Sequence, residues 1–401
     1  MYSLHLGAEQ LEFRDTVREF VNEEIKPFTL KSERLDLGDR STPVEVLRKA
    51  SLMGLRTLAL PEELDGVGAD ALTCCIVTEE LAVGDTDVAA VLSETSALGR
   101  MLFTAMSAPQ RERFLPSFLD DDDYHLALAK REPGDDTSLG LNYHRAAANE
   151  RGVATTATQN GGDWVINGAK DCVANAPIAK LFAVEAKTDK RTITLLVPRD
   201  APGLAVTGQP EPRWYHGACG QIVLKDCRVP AGNLLALAEQ PDSGRCIPLF
   251  EALNLGIGRA AYEAALEYSQ LRVQGGRRIV EHQAIGTKLA EIAIRLEVAR
   301  SAIWRAAWAS DHPEAFANRS LPDLSLTTIA KVFTAETIYR ATKDAAECFG
   351  AMGVMRDMPL QKYIHDAMIC LHTGDGNADL KLRIAEELAN FRRGATMQAA
   401  E

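Results

Sequence analysis

The 401-residue chain has no run of about 18 apolar residues, so no helix in it is expected to span a bilayer. It also has no CxxC pair and no histidines at zinc-ligand spacing. Its eight cysteines, Cys74, Cys75, Cys172, Cys219, Cys227, Cys246, Cys348 and Cys370, therefore read as buried small hydrophobes or reduced thiols of a cytoplasmic protein. Positive charge is short: 44 Lys and Arg stand against 56 Asp and Glu, a formal net charge of -12. That balance excludes a general nucleic-acid binder, which needs a basic face. The first residues, Met1-Tyr2-Ser3-Leu4-His5, lack the basic and apolar regions of a signal peptide. No internal repeat and no low-complexity tract interrupts the chain.

What remains is an ordinary globular composition, 46% hydrophobic and 25% charged, in a chain long enough for two or three domains. Residues 8–28 place Leu11, Phe13, Val17, Phe20, Val21 and Ile25 at helical spacing, and Pro27 is expected to end that helix. Further helices are expected over about 43–53, 70–83, 86–105 and 109–118. The acidic run Asp120-Asp121-Asp122-Asp123 marks a solvated end. Strand signals follow over 153–158, 164–166, 181–187, 192–197, 204–208 and 221–224, with Asn160-Gly161-Gly162 as a turn. Short strands at this spacing suggest a small sandwich or barrel. From about residue 247 the helical period returns, over 249–273, 283–310, 324–348 and 378–393, with Gly394 as a stop. Long antiparallel helices suggest a four-helix bundle. The expected fold is α+β: an N-terminal helical domain (1–122), a middle β domain (123–240) and a C-terminal bundle (241–401).

Near the end, Thr373-Gly374-Asp375-Gly376-Asn377 joins one apolar helical run to the next. A carboxylate between two glycines is open to a ligand and suits a general base. By spacing alone, the favoured reading is a solvated turn with Asp375 as the N-cap of the following helix.

Several motifs resemble the acyl-CoA dehydrogenase family over nearly the whole chain. Pro61-Glu62-Glu63-Leu64-Asp65-Gly66-Val67-Gly68 is similar to its PE-x-x-GG-x-G loop, and Trp164-Val165-Ile166-Asn167-Gly168-Ala169-Lys170 to its YxINGxK hairpin. Cys227-Arg228-Val229-Pro230-Ala231-Gly232-Asn233-Leu234-Leu235 resembles VRVPxENLL. Arg272-Val273-Gln274-Gly275-Gly276 with Val280-Glu281-His282-Gln283 resembles RxxFG…xxHQ, and Cys348-Phe349-Gly350-Ala351-Met352-Gly353 resembles QxxGGxG.

The resemblance implies a homotetrameric FAD enzyme that dehydrogenates an acyl-CoA (or acyl carrier protein) thioester and passes electrons to an electron-transferring flavoprotein. A carboxylate base takes the α-proton, and hydrogen bonds to the thioester carbonyl acidify it. By resemblance, Arg272 and Gln283 meet the FAD pyrophosphate and adenine side. Glu347, Gly350 and Ala351 sit on the turn over a neighbour's FAD, and Asn377 and Asp379 follow the catalytic loop. Arg131, Val173 and Ala174 stand at the flavin ring, and Thr137 and Gly376 on the substrate side. Asp375 aligns with the base after one inserted residue, and Glu94, on the helix that floors the acyl pocket, is a second candidate base or a ligand for a polar acyl end. The alternative base position of the family falls on Cys246, and Glu251, five residues further on, is expected to face elsewhere.

The departures cluster at the flavin. Arg131 replaces a threonine, Ala174 lacks a hydroxyl, and Glu347 replaces a glutamine; a carboxylate there needs a proton or a partner beside a diphosphate. Three activities fit: α,β-dehydrogenation with Asp375 as base, other flavin chemistry (elimination or oxygenation) on the same scaffold, or a non-catalytic partner subunit in a heteromer with a second chain of this family.

Overall fold

A computed structural model of the chain describes residues 5–35, 41–133, 153–208, 215–236, 246–373 and 376–389. In chain order the main helices are α1 (Ala8–Phe20), α2 (Val44–Leu52), α3 (Ala71–Gly84), α4 (Thr86–Ala105) and α5 (Ala108–Asp120). After the β region come α6 (Leu249–Leu271), α7 (Gln283–Asp311), α8 (Leu326–Cys348), α9 (Leu360–His372) and α10 (Asn377–Ala389). The strands are β1 (His125–Ala129), β2 (Thr156–Asn160), β3 (Asp163–Ala174), β4 (Ala179–Lys187), β5 (Thr192–Pro198), β6 (Leu204–Gly208), β7 (Cys219–Pro230) and β8 (Leu234–Leu235). Two compact units result, each drawn from separated stretches: Met1–Ser41, Asp70–Ala90 and Pro241–Phe391 in one, Thr42–Ala69 and Val91–Gln240 in the other. Among the described residues no helix is long and apolar enough to cross a membrane, and there is no disulfide.

The first unit is helical. Pro27 does not end the first helix as expected. A π turn over Val21–Ile25 widens the backbone, and a last turn, Lys26–Thr29, carries Pro27 at its start, where its missing N–H costs nothing. Helix α3 is apolar on nearly every side and is correspondingly buried along its length. Its two buried carboxylates are neutralised: Glu79 by Arg259 and Arg300, each at 2.8 Å, and Glu80 by Arg18 at 2.7 Å and by Arg259. A buried charge without such partners would be strongly destabilising. The bundle consists of α6, α7, α8 and α9, with α8 against the other three. The helix expected as its fourth member, from residue 378, instead packs chiefly on α8 from outside. The shorter α9 takes the fourth place because its amphipathic face buries Leu360, Tyr363, Asp366, Ala367 and Cys370.

The second unit holds one mixed sheet in the order β6-β7-β3-β2-β4-β5-β8, with β1 parallel to β4. The expected turn at Gly161–Gly162 joins β2 to β3, pairing Asn160 with Asp163. Side chains alternate faces along a strand. In β4, Phe182 and Val184 join a core with Ile166, Leu195, Ile222 and Val229, while Leu181 and Ala183 face Leu102, Phe103, Phe118 and Leu126. Strands from both halves of the order, β7 and β5, share the first core, as in the small sandwich the sequence implied.

Candidate active site

In the helical unit, α6 ends at Arg272, whose N–H bonds Tyr268 O at 2.8 Å. The chain then turns back as a hairpin, β9 (Val273–Gln274) against β10 (Arg277–Arg278), where helical spacing alone carried the helix to 273. The linking Gly275 and Gly276 have φ of +63° and +83°, a type I′ turn that glycine adopts without strain. His282 braces it, with Nε2 2.9 Å from Gln274 O and Nδ1 3.4 Å from Arg277 Nη2. Since a carbonyl only accepts, Nε2 carries the proton and Nδ1 accepts from the guanidinium.

This hairpin leaves Arg272 exposed, and among the described residues no carboxylate pairs with its guanidinium. Arg272, Gln274, Gly275, Glu347 and Gly350 line a cleft of about 370 Å³. One wall is apolar, Tyr268 stacked on Phe349 with ring centroids 4.2 Å apart and planes 13° apart. An uncommitted guanidinium beside an aromatic wall suits a nucleoside diphosphate, so the residues fit the FAD expected here. Glu347, which needed a partner, has one: its carboxylate pairs with Lys288. Lys288 lines a neighbouring cleft together with Gln283, the first residue of α7, and Glu291. Gly350 opens a short 3-10 turn, Gly350–Val354, at φ +56°, and Ala351 is exposed on it.

The last described helix begins at Asn377, so Gly376 holds the position before it, where the sequence alone put Asp375. Gly376 O accepts the first helical bond, from Leu380 N at 3.1 Å. Asn377 Nδ2 donates to Val332 O and Glu336 Oε1, both at 3.3 Å, and fastens α10 to α8. Asp379 pairs with Arg383 at 3.1 Å. Asp375 and Thr137 lie outside the described residues. Cys246 is half-buried, and its carbonyl accepts from Thr327 Oγ1 at 2.7 Å. Glu251 is 4% exposed, and burial raises its carboxyl to about 7, with Lys331 the cation that opposes the shift.

In the sheet unit, Arg131, Val173 and Ala174 come together at one end of β3. Arg131 O accepts from Asp171 N at 3.0 Å. Two residues, Asp171 and Cys172, stand where β7 offers only Gln221, which makes a bulge with Cys172 at φ +50°. Val173 is buried beside Gly220, and Ala174 pairs with Cys219. Burial raises the Cys172 thiol, against the pull of the Arg131 charge. The segment is anchored by a pair that the sequence did not reveal. Lys170 Nζ meets Glu132 Oε1 at 2.6 Å and Lys130 O at 3.0 Å, and Glu132 also accepts from Thr155 N at 3.1 Å.

Glu94 sits on α4 in the same unit. It is half-buried, burial raises its carboxyl, and among the described residues no donor or cation pairs with it. Next to it, Thr95 Oγ1 lies 3.1 Å from both His125 Nδ1 and Asn175 Nδ2. Asn175 directly follows Ala174, so one side chain ties the Glu94 helix to the end of β3.

The fold is that of a solved acyl-CoA dehydrogenase. Butyryl-CoA dehydrogenase from Megasphaera elsdenii matches with a TM-score of 0.79 at 24% identity, covering 97% of this chain and 100% of that one. Family models described as the N-terminal, middle and C-terminal domains of acyl-CoA dehydrogenase match residues 7–122, 144–227 and 249–388. Short-chain specific acyl-CoA dehydrogenase of Mus musculus is 30% identical over 384 residues, 92% of this chain and 87% of that protein. A probable acyl-CoA dehydrogenase of Bacillus subtilis is 29% identical over 404 residues, 96% of this chain and 99% of that protein. The chain belongs to the acyl-CoA dehydrogenase family, a family of FAD-dependent oxidoreductases.

Proposed function

We propose that this chain dehydrogenates an acyl-CoA at Cα–Cβ with Asp375 as the base. The observation that carries the reading is the Arg272 cleft, where an unpaired guanidinium and an aromatic wall wait for a diphosphate-bearing cofactor. FAD, when bound, accepts the β-hydride. The chain's own part is to hold the thioester and move the α-proton to the Asp375 carboxylate, so that proton and hydride leave together and a C=C bond forms. The flanks of the loop are fixed for this: Thr373 N and Oγ1 each bond Ile369 O at 2.8 Å, and Asn377 anchors the other side. Glu94 is the second carboxylate, a ligand for a polar acyl end or the base if Asp375 is not. An electron-transferring flavoprotein is the acceptor, the assembly is a homotetramer, and the setting is the cytoplasm.

A second reading, a partner subunit without flavin chemistry of its own, is favoured by Ala174, which brings no hydroxyl to the flavin end of β3. Visible absorbance decides between them. The purified chain is expected to be yellow and to bleach anaerobically with a member of a panel of acyl-CoAs. A chain that stays colourless after incubation with FAD overturns the enzyme reading and supports the partner subunit. A yellow chain that no acyl-CoA bleaches supports the other chemistries.

A further inference from the structure

The Lys288–Glu347 pair is one rung of a longer ladder between α7 and α8. Lys288 Nζ is also 3.9 Å from Asp344 Oδ1. Asp344 Oδ2 pairs with Arg295 Nη1 at 2.5 Å, and Arg295 Nη2 with Glu291 Oε2 at 3.1 Å. Two cations and three carboxylates leave this ladder with one net negative charge. It stands at the rim of the clefts: Glu347 lines the one that holds Arg272, and Lys288 and Glu291 line the other. A glutamine at 347 would have kept its donor and made the ladder neutral. An ionised carboxylate accepts only, so Glu347 offers nothing to a phosphate oxygen.

The geometry points to the Glu347–Lys288 pair as the element that sets how tightly this chain holds the diphosphate of FAD. Glu347 occupies Lys288, keeps the rim negative, and leaves Arg272, among the described residues, without a carboxylate partner in its cleft. Neither residue takes part in proton or hydride transfer. They act through the field at the cleft, and 64% side-chain exposure of Glu347 means that this field is screened by water and salt. The inference rests on the reading of the cleft as the FAD site.

Net charge gives the order of affinity. Glu347→Gln brings the ladder to neutrality, Lys288→Gln leaves two negative charges, and the double variant returns to one. The full chain stripped of flavin is titrated with FAD by fluorescence, with thermal melting as a check on folding. Glu347→Gln is expected to lower the Kd about fivefold and Lys288→Gln to raise it about fivefold, the scale of a solvated charge acting on a diphosphate. The double variant should lie within about twofold of the parent, and the differences should collapse at about 1 M salt, where the Debye length is roughly 3 Å. Measurable FAD binding with all four constants equal overturns this inference and leaves the flavin reading standing. No FAD binding by any of the four overturns the flavin reading itself, and the inference with it.

Discussion

Asn175 donates from Nδ2 to Thr95 Oγ1 at 3.1 Å and links the end of β3, where Ala174 lies, to the helix that carries Glu94. The same amide reaches Leu126 O at 3.3 Å and Val91 O at 3.4 Å, and the backbone N–H bonds Ala218 O at 2.6 Å. Asn175 is 2% exposed and holds φ +62°, a left-handed conformation that asparagine tolerates better than most residues. Asn175→Ala leaves those acceptors without their donor and adds backbone strain. A loss of about 3 kcal/mol in stability is expected, read by denaturant unfolding of the whole chain. A loss under about 0.5 kcal/mol would show that the link carries little.

His125 receives the other side of that hydroxyl. Burial, with the Arg56 charge adding to it, lowers its pKa from 6.5 to about 4, so the ring is neutral near pH 7. A folded pKa below the unfolded one means that the unfolded chain binds the extra proton first. Stability from this group is whole above pH 6.5 and falls as pH drops through 4, by about 3 kcal/mol in all. His125→Gln should flatten that segment of the stability–pH curve. An unchanged slope between pH 6.5 and 4 would count against a neutral buried ring.

Glu251 titrates with the opposite sense. Its folded pKa, about 7 against an ordinary 4.5, lies above the unfolded one. Stability is therefore highest below pH 4.5 as far as this group is concerned, and declines as pH rises to 7, again by about 3 kcal/mol. Glu251→Gln removes the titration. The variant should melt at a higher temperature than the parent at pH 8, with the gain shrinking toward pH 5. Equal gains at both values would point to packing instead of charge.

Much of this fold is written in local pattern. The periods of α6, α7 and α8 and the Asn160–Gly162 turn follow from residues adjacent in sequence, and they appear close to where spacing puts them. Arg272 was readable because its motif is contiguous. What the sequence hides is pairing at a distance. Lys288 lies 59 residues from Glu347, and Lys170 lies 38 from Glu132. No periodicity announces either pair. The π turn before Pro27 and the left-handed Asn175 are hidden for a related reason: both are backbone states that surrounding tertiary structure pays for. The fourth bundle helix was misplaced because α9, at 13 residues, shows only a few turns of pattern, as does its neighbour α10.

The central claim is that this chain takes a proton from an acyl thioester with Asp375, and anaerobic flavin bleaching of the parent against Asp375→Asn tests it most directly. Both proteins should bind FAD, because the substitution leaves Arg272, Glu347 and Gly350 unchanged. The parent should bleach with its acyl-CoA, and the variant should do so at least about a hundredfold more slowly, the usual cost of losing a general base. Equal bleaching rates would contradict the claim and make Glu94→Gln the next variant to measure.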